Sequence, residues 1–310
     1  MNVALFGGTG FIGSYLVEEL LDRDHRPHLL VRPGSEKKVI RAEECNLIMG
    51  DLDDVKAIHA SLDACDAAVY CVGIIREDRR TGKTFHKVQY ENAKAVVDAA
   101  VEMGVPRFIL MSANGVRPDG TSYQRSKYMA EEYLKTTGLQ WTIFRPSVIF
   151  GDPRGKMEFC TQLRDELIKL PLPVPLFYQG LLPTGAGRFL LSPVHVRDVA
   201  SIFVKSLELA VTVGQTFDLG GKDTVDWKTA VMTIAQASGR HKWTLPVPAA
   251  AFYLIAALLD RFTFFPVTRE QLSMLLEGNV ADSQEVFRIF NIDPIPFDTN
   301  SLKYLREFVN

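Results

Sequence analysis

The sequence predicts an α/β protein, a doubly wound parallel sheet joined to a smaller, partly helical C-terminal substrate or cap domain. Three observations carry this expectation. From residue 2 to about 145, short apolar runs alternate with longer amphipathic ones. A glycine-rich string links the first apolar run directly to the first amphipathic one. After Gly151 the alternation stops, and proline and glycine become frequent. Strands alternating with helices favour a parallel sheet covered on both faces, whose strands are then apolar throughout.

The apolar runs are NVALF (2–6), RPHLLVR (26–32), NLIMG (46–50), AAVYCV (67–72), PRFILMS (106–112) and QWTIFR (140–145). Each is short and bounded by Gly, Pro or a polar residue, as buried strands are. Helical spacing is clearest over 11–23, 94–104 and 128–138. Gly104 and Gly138 follow two of these helices, where a C-terminal cap calls for positive φ. Residues 152–190, rich in Pro and Gly, read as irregular. A helix follows over 194–208 and a short strand over 215–221, and from 226 onward only helical patterns occur. The expected division is a dinucleotide-binding domain of 1–150 plus about 190–222, and a cap of 151–189 plus 223–310.

Composition narrows the functional classes. A chain of 310 residues suits two domains. With 47% hydrophobic and 23% charged residues, disorder is excluded. Thirty-five basic against 37 acidic residues leave a net charge of −2, so no nucleic-acid footprint and no polybasic anchor is expected. The four cysteines include no CxxC pair and the six histidines are scattered, so neither a disulfide framework nor a metal site is expected. No charged n-region or apolar h-region opens the chain, which predicts no signal peptide and a cytoplasmic protein. The apolar stretch around 245–266 stands apart. Its uninterrupted part, 249–259, falls short of the ~20 residues a membrane span needs. It predicts a buried helix, with a helix on a membrane surface or partner as the alternative, at the inner face of a membrane.

The strongest motif is LFGGTGFIG at 5–13. Gly8, Gly10 and Gly13 satisfy GxGxxG, while Gly7, Gly10 and Gly13 satisfy GxxGxxG. Following a strand and opening a helix, such a string allows a tight turn, close approach to a pyrophosphate, and helix–strand packing. The helix N-terminus then presents N–H groups and positive dipole to the phosphates. The second apolar run ends at Arg32, followed by Lys37 and Lys38, where an acidic residue would hold the ribose of NAD. A guanidinium fits a 2′-phosphate, so NADP(H) is favoured over NAD(H). Asp51 and Leu52 fall where an adenine edge would lie, and Cys71, Val72 and Gly73 close the fourth run at the crevice.

A Tyr four residues before a Lys puts both on one helical face, and the ammonium favours the phenolate of its neighbour. The spacing occurs at Tyr123/Lys127 and at Tyr90/Lys94. Tyr123/Lys127 follows the fifth apolar run, which ends at Ser112 and should line the cofactor crevice. Tyr90 lies in what reads as a core-packing face. Glu131, one turn after Lys127, offers that lysine a structural ion pair instead.

On these residues the chain resembles the atypical or extended short-chain dehydrogenases/reductases, a Rossmann-type NAD(P)-binding superfamily. The anchors are GGTGFIG (7–13), GDL (50–52), YQRSK (123–127), FRPSVIFG (144–151) and PVHVRDVA (193–200). More narrowly it is similar to the branch that holds the nucleotide-binding accessory subunit of respiratory complex I and its bacterial relatives. The resemblance implies that Gly7, Thr9, Gly10, Phe11, Ile12 and Gly13 bind pyrophosphate and Arg32 the 2′-phosphate. Asp51 would face adenine, Lys127 the nicotinamide ribose, and Pro146, Ser147 and Val148 the nicotinamide. Tyr123 would be the acid/base, with Ser112 its partner. Three departures stand against a complete active site. Ser112 is followed by Ala-Asn, Tyr123 comes only eleven positions later, and Gln89 stands where many relatives have Asn.

The expected function is therefore an NADPH-dependent oxidoreductase on a small carbonyl, hydroxyl or quinone-like substrate. One alternative is a catalytically silent NADPH-binding accessory or assembly protein docking on a membrane complex. The other is an enzyme like the nucleotide-sugar epimerases and dehydratases, although 152–190 shows no sugar-diphosphate signature.

Overall fold

The computed structural model describes residues 1–251 and 269–306. Two compact units arise by contact. The first comprises Met1–Pro146, Val196–Leu219 and Gln284–Ile292, and the second Ser147–His195, Gly220–Ser283 and Asp293–Asn310. The return of 284–292 to the first unit is absent from the expected division.

Seven parallel strands form the sheet of the first unit: β1 (Asn2–Phe6), β2 (Arg26–Val31), β3 (Asn46–Met49), β4 (Ala67–Tyr70), β5 (Arg107–Met111), β6 (Gln140–Pro146) and a late strand (Gln215–Leu219). In space the order runs β3-β2-β1-β4-β5-β6 and then the late strand. Val3 of β1 pairs with Pro27 of β2 on one side and Ala67 of β4 on the other. The order therefore reverses between β1 and β4, where a doubly wound sheet opens its ligand crevice at the C-terminal strand ends. Flanking helices are α1 (Phe11–Asp22), α2 (Val55–Leu62), α3 (Asn92–Glu102), α4 (Ser122–Lys135) and a later helix (Val196–Ser206).

Side chains alternate across the strands and give each face its own core. Ala4 and Phe6 of β1, Ala68 and Tyr70 of β4, and Phe108 and Leu110 of β5 pack with Ile58, Val96, Val97 and Leu134 of α2, α3 and α4. Phe144 of β6 points to the other face. There its ring lies 4.5 Å from Phe203, 5.6 Å from Phe217 and 6.1 Å from Phe290. That aromatic contact, with Lys205 donating to the Phe290 carbonyl at 2.7 Å, holds the helix Gln284–Phe290 in this unit. Gly104 has the expected positive φ of 69°. Gly138 does not, because α4 ends earlier, at Thr136 with φ −80°.

The second unit departs furthest from its sequence reading. Within 152–190, expected to be irregular, lie a helix (Phe159–Leu163) and a strand (Val174–Tyr178). That strand pairs in parallel over five residues with Thr244–Pro248, in a region expected to be only helical. Prolines in both strands hid the pattern, and a two-stranded ribbon tolerates them because, among the described residues, each strand has one edge that pairs with no further strand. The core here gathers Phe150, Cys160, Ile168, Trp227, Phe297 and Leu302. Most of the apolar stretch 245–266 lies outside the described residues. Among those described, no helix is long and apolar enough to cross a membrane.

Candidate active site

The glycine turn is built by close backbone contacts. Gly10 donates its N–H to the Gly7 carbonyl at 2.9 Å. Gly7 has φ +105°, and a Cβ there would come 2.8 Å from the Cys71 Sγ. At Gly13 a Cβ would sit 2.1 Å from the Gly7 oxygen. At Gly8 it would meet only side-chain methyl groups, of Leu29 at 3.1 Å and Leu5 at 3.5 Å. Of the two overlapping glycine patterns, Gly7-Gly10-Gly13 is the one that the geometry demands. Gly10 is the N-cap of α1 and offers no side chain to the first-turn N–H groups, and the turn holds no acidic residue. Thr9, Phe11 and Ile12 are partly exposed around this helix start. An anion fits a helix N-terminus of this kind.

Further along the same edge of the sheet, Arg32 follows β2 directly and is exposed, and its carbonyl accepts from Ser35 at 2.9 Å. Lys37 and Lys38 lie exposed in the next turn. Asp51, after β3, is exposed, and its carboxylate accepts the Leu52 N–H at 2.7 Å. Leu52 and Val72 pack on the core of the first unit. Cys71 is buried, donates its thiol to the Phe6 carbonyl at 3.2 Å, and is pushed up to about 12 by that burial.

Lys127 lies at the ends of β4 and β5. Its ammonium donates to the Met111 carbonyl at 2.9 Å. The residue is 5% exposed, and burial draws its pKa down to about 8. A Cβ on Gly73 would be 3.6 Å from this nitrogen. The start of α4 fixes its position. Thr121 accepts from the Gln124 N–H, and Gln124 in turn accepts from the Thr121 N–H, closing a capping box. Tyr123 thus enters the first turn of α4, and Lys127 follows one turn later. A small void, too small for a water molecule, is lined by Tyr70, Gln89, Ser112 and Lys127 together with Leu110, Met111 and Ala130. The Ser112 hydroxyl is buried there without a hydrogen-bond partner.

Two expectations change. Glu131 makes no ion pair with Lys127, although its charge favours the ammonium from a distance. It is fully buried and holds Arg145 in a bidentate pair at 2.9 and 2.5 Å. Nor does Lys127 lower the Tyr123 phenol. The tyrosine ring packs edge-on against Phe85 at 5.6 Å, and burial pushes the phenol up to about 12. The competing pair separates. Lys94 binds Asp98 at 2.6 Å, while Tyr90 packs on the core.

The sequence pointed to Gln89 only as a departure, and missed Ser126. Gln89 donates to the Ile74 carbonyl at 2.9 Å and accepts from the Ser126 hydroxyl at 2.7 Å. It occupies a π-helical turn, His86–Glu91, that runs into α3. Pro146 closes β6 and accepts from the Asn114 N–H at 2.9 Å. Ser147 and Val148 belong to the second unit. There the Ser147 hydroxyl donates to the Asn279 carbonyl at 3.0 Å, and Val148 packs on that unit's core.

A reversed parallel sheet with a glycine turn opening α1, and a lysine buried at the strand ends, defines a nicotinamide-dinucleotide protein of the short-chain dehydrogenase/reductase type. Residues 7–168, just over half of the chain, match the NAD(P)H-binding family, and the chain belongs to it. It is 26% identical over 262 residues to ceramide reductase of Caulobacter vibrioides, covering 84% of this chain and 78% of that protein. To the mitochondrial 40 kDa subunit of NADH-ubiquinone oxidoreductase of Neurospora crassa it is 23% identical, over 99% of this chain and 79% of that one. The crystal structure of gox2253 matches with a TM-score of 0.76 at 24% identity, covering 98% and 96% of the two chains. The resemblance to the complex I branch is borne out.

Proposed function

We propose that the protein is an NADPH-dependent oxidoreductase acting on a small carbonyl, hydroxyl or quinone-like substrate. The observation that carries this reading is the Lys127 ammonium, buried at the C-terminal strand ends in the same void as the unpartnered Ser112 hydroxyl. A buried cation paired only with a carbonyl is costly, and such groups concentrate where chemistry is done. When bound, the dinucleotide supplies the hydride. The chain's own groups then position and protonate. Lys127, with a pKa near 8, holds a proton that it can release near neutral pH. Tyr123, near 12, stays a neutral phenol at pH 7, which suits donation of a proton to a substrate oxygen rather than its removal. Absorbance at 340 nm, followed over carbonyl and quinone panels, tests the reading. Bound NADPH with no turnover on any of them would reject it.

Preference for NADPH rests on Arg32, exposed where an acidic residue would favour NAD. Arg32→Ala is expected to weaken NADPH binding roughly tenfold or more, the worth of a charge-assisted phosphate contact. NADH affinity should stay unchanged, as calorimetric titration of both would show. Equal losses for the two cofactors would place Arg32 outside the 2′-phosphate site.

A second reading, a silent NADPH-binding accessory protein, is favoured by the packing of Tyr123 against Phe85, which works against ionisation of the phenol. Tyr123→Phe separates the two. Loss of turnover with NADPH binding retained supports the enzyme, and no difference in any reduction assay supports the accessory role.

A further inference from the structure

We propose that the second unit carries a docking surface for an anionic lipid bilayer, independent of the reading above. It forms where the chain enters the paired strands Val174–Tyr178 and Thr244–Pro248. Because these strands are parallel, the residues that precede them share one end of the ribbon. Lys169, Leu170 and Leu172 lead into the first, and Arg240, His241, Lys242 and Trp243 into the second. Between them lies an open depression of about 320 Å³, lined by Lys169, Leu170, Arg240, His241, Lys242 and Trp243 among others. Lys242 ties the two segments together by donating to the carbonyls of Leu170 and Leu172.

The surroundings are apolar and poor in acid. Trp243 is 71% exposed, Leu172 62% and Leu245 52%. Large apolar side chains this exposed, grouped beside cations, mark an interaction face. The sequence sharpens its sign. Residues 167–197 and 227–259 contain no Asp or Glu, although at the chain's average content the two stretches would hold about eight. The acids nearest in sequence are Glu166, whose carboxylate accepts from the Gln162 amide at 3.0 Å, and Asp165, 3.0 Å from Lys169 and 2.8 Å from Arg164. Against these two stand Arg164, Lys169, Arg240 and Lys242, so basic charge still prevails. Tryptophan and leucine at a headgroup boundary, with cations beside them, is the chemistry of an interfacial membrane contact. The sequence after the second strand, 249–259, is apolar as well. Charge complementarity therefore selects an anionic bilayer as the occupant.

Sedimentation of the full chain with vesicles tests this. Vesicles containing one-third phosphatidylglycerol should bind at least about tenfold more strongly than pure phosphatidylcholine, since each cation near such a surface is worth about fivefold. High salt should abolish the difference. Arg240→Gln with His241→Gln should remove the preference for the anionic vesicles. Leu172→Ser with Trp243→Ser should remove binding to both. Lys242 is left in place because it holds the two segments together. Unchanged melting and NADPH affinity in both double variants confirm that they fold. Equal binding to both vesicle types, binding untouched by the variants, or no binding at all overturns the proposal. So does self-association in light scattering that the apolar variant abolishes, which would make a second copy the occupant.

Discussion

Gly13→Ala is expected to eliminate measurable NADPH binding and to lower stability by about 3 kcal/mol or more. The added Cβ would lie 2.1 Å from the Gly7 oxygen and 2.8 Å from both the Gly7 carbonyl carbon and the Gly8 Cα. These are backbone atoms, so no side-chain rotation relieves the clash. Gly7 is itself fixed, at φ +105° beside Cys71. Relief therefore requires α1 to withdraw from β1, which loosens the buried Leu16, Val17 and Leu20. Overpacking of a core costs about 1–3 kcal/mol even where side chains can yield, and here they cannot. The same shift moves the helix N-terminus by about an ångström, enough to undo a phosphate contact of hydrogen-bond length. Gly8→Ala is the control. Its Cβ meets the Leu29 methyl groups at 3.1 and 3.6 Å, which a small rotamer change accommodates. Melting curves and NADPH titrations of the two variants should differ sharply, and a Gly13→Ala protein that binds like wild type would refute the role of the turn.

What could be read from the sequence divides along the line between local and distant causes. β1 to β6 fall within or nearly within the apolar runs, because strands buried on both faces advertise themselves without their neighbours. α2 went unassigned. Eight residues give little periodicity, and its clearest signal is the Asp54 side chain accepting from the Lys56 and Ala57 N–H groups. The start of α4 is polar for a similar reason, since Thr121 and Gln124 spend their side chains on capping. The paired strands at 174–178 and 244–248 are partners 70 residues apart, and no local pattern of VPLFY or TLPVP announces the other. The return of Phe290 to Phe144 is equally remote. At the site, the glycine string and Lys127 were legible as types and spacings. Which glycine register is strained, where Glu131 turns, and the direction in which the Tyr123 phenol shifts all depend on packing. Phe85, which bears on the last, lies outside the motifs that define the family, while Arg145, which takes up Glu131, lies within FRPSVIFG but pairs with a residue 14 positions earlier.

Lys127→Met is expected to reduce turnover by about a hundredfold or more, the usual contribution of a positioned proton-transfer group. Its melting temperature at pH 7 should equal or exceed that of wild type. Burial lowers the lysine's pKa from 10.5 to about 8, which corresponds to roughly 3 kcal/mol against the charged form. The hydrogen bond to the Met111 carbonyl recovers only part of that. Below about pH 8 the folded protein bears the full cost of the buried charge. Between about 8 and 10.5 the unfolded chain keeps a proton that the folded one has released, so wild-type stability rises with pH across this window. Above 10.5 both states are neutral and the contribution is flat. A methionine carries no charge at any pH, so the Lys127→Met advantage should be largest near neutrality and shrink toward pH 10. Urea midpoints measured across that range would show the closing gap. Lys127→Arg makes the opposite case, because a guanidinium cannot shed its proton in this window and is larger, so it should be destabilised throughout. If Lys127 were merely structural, the methionine variant would lose stability by a constant amount at every pH and keep its turnover. A gap that closes with pH, together with a lost reaction, means that the fold maintains an unfavourable charge for the sake of the site.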